Sequence, residues 1–129
     1  MTVDVLVGKT LTKVEKELGS NFHNDRLTFT VDDGTVFVME HDQECCEEVY
    51  LEDICGDLQD LVGSPILTAE DSSNKPEMNE YPEKNPDGGE YSFTWTFYRI
   101  TTAKGLVVLR WFGSSNGYYS EEVDFYKSE

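Results

Sequence analysis

Positive charge is what this chain has least of. Its 129 residues carry 10 Lys and Arg against 26 Asp and Glu, a formal net charge of −16, and no Lys or Arg lies between Arg26 and Lys75. The sequence pI is about 4.3. Such a chain repels bare nucleic acid and anionic membrane at long range, so direct binding of either is not expected, whereas association with basic surfaces is favoured. Cysteine is also scarce: there are three, an odd number with two adjacent. That fits a reducing compartment better than a secreted disulfide framework. Long apolar runs are missing, so no stretch approaches the roughly 20 residues of a membrane span, and MTVDVLVGKT lacks the basic start and apolar core of an export signal. A cytoplasmic protein is expected. No Walker loop, dinucleotide fingerprint, nucleophile elbow, HExxH or EF-hand loop occurs, so neither an enzyme activity nor a cofactor is expected. Catalysis would have to come from carboxylates that pair only in space.

What is present predicts one domain of the α+β class, residues 1–129. The Val-rich run Val3 to Val7 suits a buried strand, and KTLTKVEKEL fits a helix or a strand equally. Leu27, Phe29 and Val31 alternate with threonines, Asp33-Gly34 supplies a turn, and Val36 to Met39 returns, which predicts a β-hairpin. Leu51, Ile54, Cys55, Leu58, Leu61 and Val62 recur at helical spacing, with Glu52, Asp53, Asp57 and Asp60 opposite them. The expectation is an amphipathic helix from Leu51 to Val62, stopped by Gly63 and Pro65, although Gly56 weakens its middle. Ile66 to Ala69 adds a further short strand. A polar loop follows at about 71–90, with three prolines and two adjacent glycines. YSFTWTFYRI, LVVLRWF and EEVDFY, separated by Ala103-Lys104-Gly105 and Ser114-Ser115-Asn116-Gly117, then read as a three-stranded antiparallel meander. The predicted architecture is an antiparallel sheet, hairpin plus meander, covered by the one helix.

Three groups of residues suggest chemistry. His41, Cys45, Cys46 and Cys55 are the residue types of a zinc site, but adjacent cysteines diverge and Cys55 falls on the apolar helix face, so packing without a metal is expected. The acids are denser: 13 carboxylates lie between Arg26 and Lys75. Asp42, Glu44, Glu47, Glu48, Glu52, Asp53, Asp57 and Asp60 are the expected partner-binding face. Spaced a few ångströms apart, they would imitate DNA phosphates, about one charge per 1.7 Å of duplex; the ordinary alternative is a solvated acidic face with no partner. The third group is aromatic. Trp95, Tyr98, Trp111, Tyr118 and Tyr119, with Arg110, Asn116 and Arg99, have the chemistry to stack on a base and hold a phosphate. The ordinary alternative is core packing.

The strings HDQECCEEVYLEDICGDLQDLVGSPILTAE and FTWTFYRITTAKGLVVLRWFGSSNGYYSEEVDF resemble a family of small, uncharacterised proteins encoded by bacteriophages and prophages. The resemblance covers roughly Leu27 to Phe125 apart from the loop, with HDQ-x-CCE and SNGYYSE its specific parts. It implies a setting, the cytoplasm of a host bacterium, and carries no activity over to particular residues. The function expected is that of a non-enzymatic accessory protein that antagonises a host defence or nucleic-acid-processing system by binding a basic host protein. Sequestration of a small nucleotide signal in the aromatic and arginine residues is the alternative, and an unidentified enzyme the third.

Overall fold

The computed structural model describes residues 2–19, 25–42, 47–74, 92–115 and 121–128. Eight strands run in chain order: β1 (Leu11–Glu17), β2 (Arg26–Val31), β3 (Val36–Glu40), β4 (Glu48–Cys55), β5 (Thr68–Asn74), β6 (Ser92–Thr102), β7 (Gly105–Ser115) and β8 (Asp124–Ser128). They form two antiparallel sheets, β1-β2-β3-β8 and β4-β7-β6-β5. Among the described residues the only helical segments are two short 3-10 turns, Val3–Leu6 and Leu58–Leu61. The α+β expectation is therefore corrected to an all-β fold of two sheets.

The missing helix has a specific cause. Val49 and Leu51 point inward from β4, and the pairing with β7 then slips, so that Leu51 faces Trp111 while Asp53 faces Arg110. This bulge inserts one residue and flips the alternation, which returns Ile54 to the core side. The spacing of three from Leu51 to Ile54 is that of a bulged strand. Gly56 then turns the chain at φ 110°, where an ideal Cβ would stand 2.8 Å from the Leu106 carbonyl oxygen. Beyond it Asp57 accepts from the Gln59 N–H at 2.9 Å and opens the 3-10 turn that buries Leu61. Strand β1 uses the same device: a register shift between Leu11 and Lys13 places both Leu11 and Val14 in the core.

The other elements are partly as expected. Strands β2 and β3 form the hairpin, with Leu27, Phe29 and Val31 buried and Gly34 at φ 91° in its turn. Strands β6 and β7 pair along their full length across Ala103-Lys104. The third strand of the expected meander does not join them, because β8 crosses to the other sheet and pairs with β3. Val3 to Val7 is not a strand; Val3 and Leu6 are buried from a 3-10 turn. Strand β5 runs on to Asn74, so the first four residues of the expected polar loop are strand. The rest of that loop and Asn116-Gly117 lie outside the described residues.

One apolar core joins the inner faces of the sheets. It contains Leu27, Phe29, Phe37, Met39 and Phe125 from the first, and Val49, Tyr98, Ile100, Val107, Leu109 and Trp111 from the second. The Phe37 and Phe125 rings stack at 5.5 Å.

Candidate functional site

Strand β4 is an edge of the second sheet, and its composition suits that place, since charged side chains keep an edge from pairing with another chain. Glu48, Tyr50 and Glu52 alternate on its outer side. Asp42, Glu48, Glu52, Asp53 and Asp57 are exposed, but not on a helix: Glu48, Glu52 and Asp53 stand on β4, Asp57 in the turn after it, and Asp42 just beyond β3. Asp60 is half-buried in the 3-10 turn, and its carbonyl accepts from the Thr102 hydroxyl at 2.5 Å. Glu44 lies outside the described residues. Glu47 does not belong to the face at all. It is fully buried, with its Oε2 at 2.8 Å from His41 Nε2.

That buried pair belongs to a polar group at one end of the sandwich. His41 Nδ1 lies 2.6 Å from the Glu122 carbonyl oxygen. A carbonyl only accepts, so Nδ1 is the donor in that contact. Nearby in the chain, buried Glu121 accepts from Thr94 Oγ1 at 2.8 Å and Ser115 Oγ at 2.5 Å, tying the approach to β8 to β6 and β7. Asp25 accepts from the Gly19 N–H at 2.9 Å and the Leu51 N–H at 2.8 Å, which links the first sheet to the β4 edge. These acids have structural partners, as buried carboxylates require. Sequence patterning gave no signal for them, because Glu47, Asp25 and Glu121 stand among exposed acids of the same type.

The aromatic group divides in two. Tyr98 and Trp111 face the core, where burial pushes the Tyr98 phenol well above its ordinary value, with Asp71 and Asp124 adding to the shift. Among the described residues the Trp111 indole N–H finds no acceptor. Neither residue can line a surface pocket. Trp95 and Arg110 lie on the outer face of the same sheet, where the Arg110 guanidinium sits 5.4 Å from the Trp95 ring centroid. Glu52 Oε2 holds Arg110 Nε at 2.5 Å, and Asp53 Oδ2 is 3.9 Å from Nη2. The Glu52 hydrogen bond raises the Arg110 pKa further, against a slight lowering by burial. Asn116, Tyr118 and Tyr119 lie outside the described residues.

Tyr50, Phe93, Phe97 and Phe112, which the sequence reading missed, complete this outer face with Arg99, which it named. Across the strands Tyr50 pairs with Phe112, Phe112 with Trp95, and Trp95 with Asn74. Phe112 lies 5.7 Å from Tyr50, 4.7 Å from Trp95 and 6.0 Å from Phe93. In the next rows Arg99 stands 5.5 Å from the Phe97 ring and donates to Ser72 Oγ at 3.0 Å. Their signal was misleading: in YSFTWTFYRI the aromatics at 91, 93, 95 and 97 share one alternation, which would turn them inward, and only Tyr98 and Ile100 mark the set that faces the core.

Cys55 is exposed at the end of β4 and not on an apolar helix face. Cys45 and Cys46 lie outside the described residues. Among the described residues no group of three or more His, Cys, Asp or Glu is arranged to hold a metal, and no helix is long and apolar enough to cross a membrane. No curated protein and no solved structure matches this chain. Its residues 4–125 match the family described as DUF7448, a domain of unknown function, and the chain belongs to that family.

Proposed function

We propose that this protein is a non-enzymatic binding protein that engages a basic protein surface through the carboxylates of the β4 edge and its flanking turns. The observation that carries the reading is the exposure of Glu48, Glu52 and Asp53 on β4, an edge of its sheet among the described residues, with exposed Asp57 in the turn after it and exposed Asp42 just beyond β3, within a span that has no Lys or Arg between Arg26 and Lys75. Arg110 offsets only Glu52 and, at longer range, Asp53. Surface carboxylates in such number speed encounter with a basic partner and make the affinity fall with salt. The resemblance to phage-encoded proteins supports a host protein as the partner, with antagonism of host defence or nucleic-acid processing as the outcome.

The experiment is a pull-down from bacterial lysate, followed by affinity measurement on the purified partner across a salt series. Asp42→Asn, Glu48→Gln and Asp53→Asn combined should weaken binding and flatten its salt dependence without unfolding the protein. DNA or RNA should compete if the partner surface normally holds nucleic acid. A neutralised variant that binds as tightly as wild type, with the same salt dependence, would reduce the acids to a solubilising role.

A second reading, binding of a small nucleotide, is favoured by Arg99. Among the described residues it forms no direct ion pair, although Glu70 is its cross-strand partner, and it lies over Phe97 beside the Trp95 and Arg110 pair.

A further inference from the structure

The two sheets treat their outer faces differently. An antiparallel sheet with one solvated face ordinarily alternates apolar inward and polar outward. The first sheet follows this rule with two valines as exceptions: Arg26, Thr28 and Thr30 on β2 stand beside Glu40 and Tyr126, with Arg26 Nε on Glu40 Oε2 at 2.9 Å, and Val36 and Val38 are the apolar residues among them. The second sheet breaks it. Tyr50, Phe112, Trp95 and Phe97 form a half-buried aromatic surface across three adjacent strands, about 10 Å wide at ordinary strand spacing, with buried Phe93 at its end. A contiguous apolar patch rimmed by charge marks an interaction surface.

Resting on the function proposed above, we infer that this outer face, centred on Trp95 and Phe112 and rimmed by the β4 carboxylates, is where the basic partner's polypeptide docks. Charge selects the occupant. A second copy brings another −16, and a nucleic acid brings phosphates; both are repelled. The face itself already holds cations in the way a basic partner would be held. Arg110 lies over Trp95 with Glu52 as its anion, and Arg99 lies over Phe97. A partner's arginine or lysine meets the same combination at the half-buried Phe112 ring, with exposed Glu48 and Asp53 on the neighbouring strand. Buried aromatics at the centre supply most of an interface's affinity and set its lifetime, whereas rim charges set approach and salt response.

The test uses the full chain and a synthetic peptide alternating arginine and leucine, with a glutamate and leucine peptide as control. The arginine peptide should bind and the control should not. Trp95→Thr should weaken binding by about tenfold, mainly through faster dissociation. Phe97→Thr provides an independent variant should Trp95→Thr fail to fold. Hydrogen exchange should slow in β6 and β7 on peptide addition. If both threonine variants bind as wild type while the Asp42, Glu48 and Asp53 variant is weakened, the aromatic anchor is wrong and the acidic-edge function survives. If the peptide does not bind, or all variants bind alike, both readings fall. Binding of oligothymidine, or self-association in sedimentation, that is lost in Trp95→Thr would reassign the face to nucleic acid or to a second copy.

Discussion

At the scale of single residues, the sandwich depends on close approaches that tolerate little change. An ideal Cβ on Gly113 would lie 2.8 Å from the Glu121 carbonyl oxygen and 2.9 Å from its Cβ. Gly113→Ala should therefore destabilise the protein by about 1 to 3 kcal/mol, the usual cost of overpacking, as read from urea unfolding midpoints. An unchanged midpoint would mean that the approach to β8 has room to shift. Glu40 gives a pH signature. Burial acts to raise its carboxyl, but the Tyr126 hydroxyl and the Arg26 guanidinium outweigh it and hold the group below its ordinary value. A depressed carboxyl contributes stability that is present above its unfolded value of about 4.3 and is lost as pH falls through the lower folded value. Wild type should thus exceed Glu40→Gln in stability at neutral pH and converge with it in acid. Parallel curves at all pH values would show that Glu40 contributes nothing through its charge.

At the scale of elements, the residues legible in the sequence were those with uninterrupted alternation. Leu27, Phe29 and Val31 identified β2, Asp33-Gly34 its turn, and the aromatic runs β6 and β7. What misled was the bulge. In β4 and β1 an inserted residue places Leu51 with Ile54, and Leu11 with Val14, three apart, and the 3-10 turn adds Leu58 and Leu61 at the same interval. A bulged strand followed by a tight turn therefore has the apolar spacing of an amphipathic helix. Partner choice was equally hidden, since nothing in DFYKS says that it pairs with β3 instead of β7. Of the candidate site, the density of acids between Arg26 and Lys75 and the grouping of Trp95 with Arg110 were readable from charge and composition, whereas the strand that carries the acids was read as a helix. The burial of Glu47, Tyr98 and Trp111 was not, because it is set by which strand each one faces. The reassigned turn makes its own prediction. Leu61 is fully buried and Leu58 only partly, so Leu61→Ala should cost about 2 to 5 kcal/mol and Leu58→Ala clearly less. Equal losses in thermal or urea unfolding would instead fit a shared helical face.

At the scale of the whole molecule, the second reading of function has a direct check. If Arg99 and the ring surface hold a nucleotide, millimolar nucleotides should raise the melting temperature by mass action on the folded state. No shift across a panel of linear and cyclic nucleotides would remove that reading and leave the basic-partner one. The crossing of β8 between sheets has a consequence for how the chain reaches its native state. Strands β2 and β3, like β6 and β7, meet across tight turns and form quickly, whereas β4 with β7 and β3 with β8 join segments far apart in sequence. Closing such long loops before their contacts form slows the search, and sandwiches of this kind fold in roughly milliseconds to seconds. In that interval the β3 edge stands open, with Val38 and Met39 uncovered until Tyr126 and Phe125 arrive. A variant with Pro at Tyr126 would prolong the exposure, so its expected defect is aggregation during refolding.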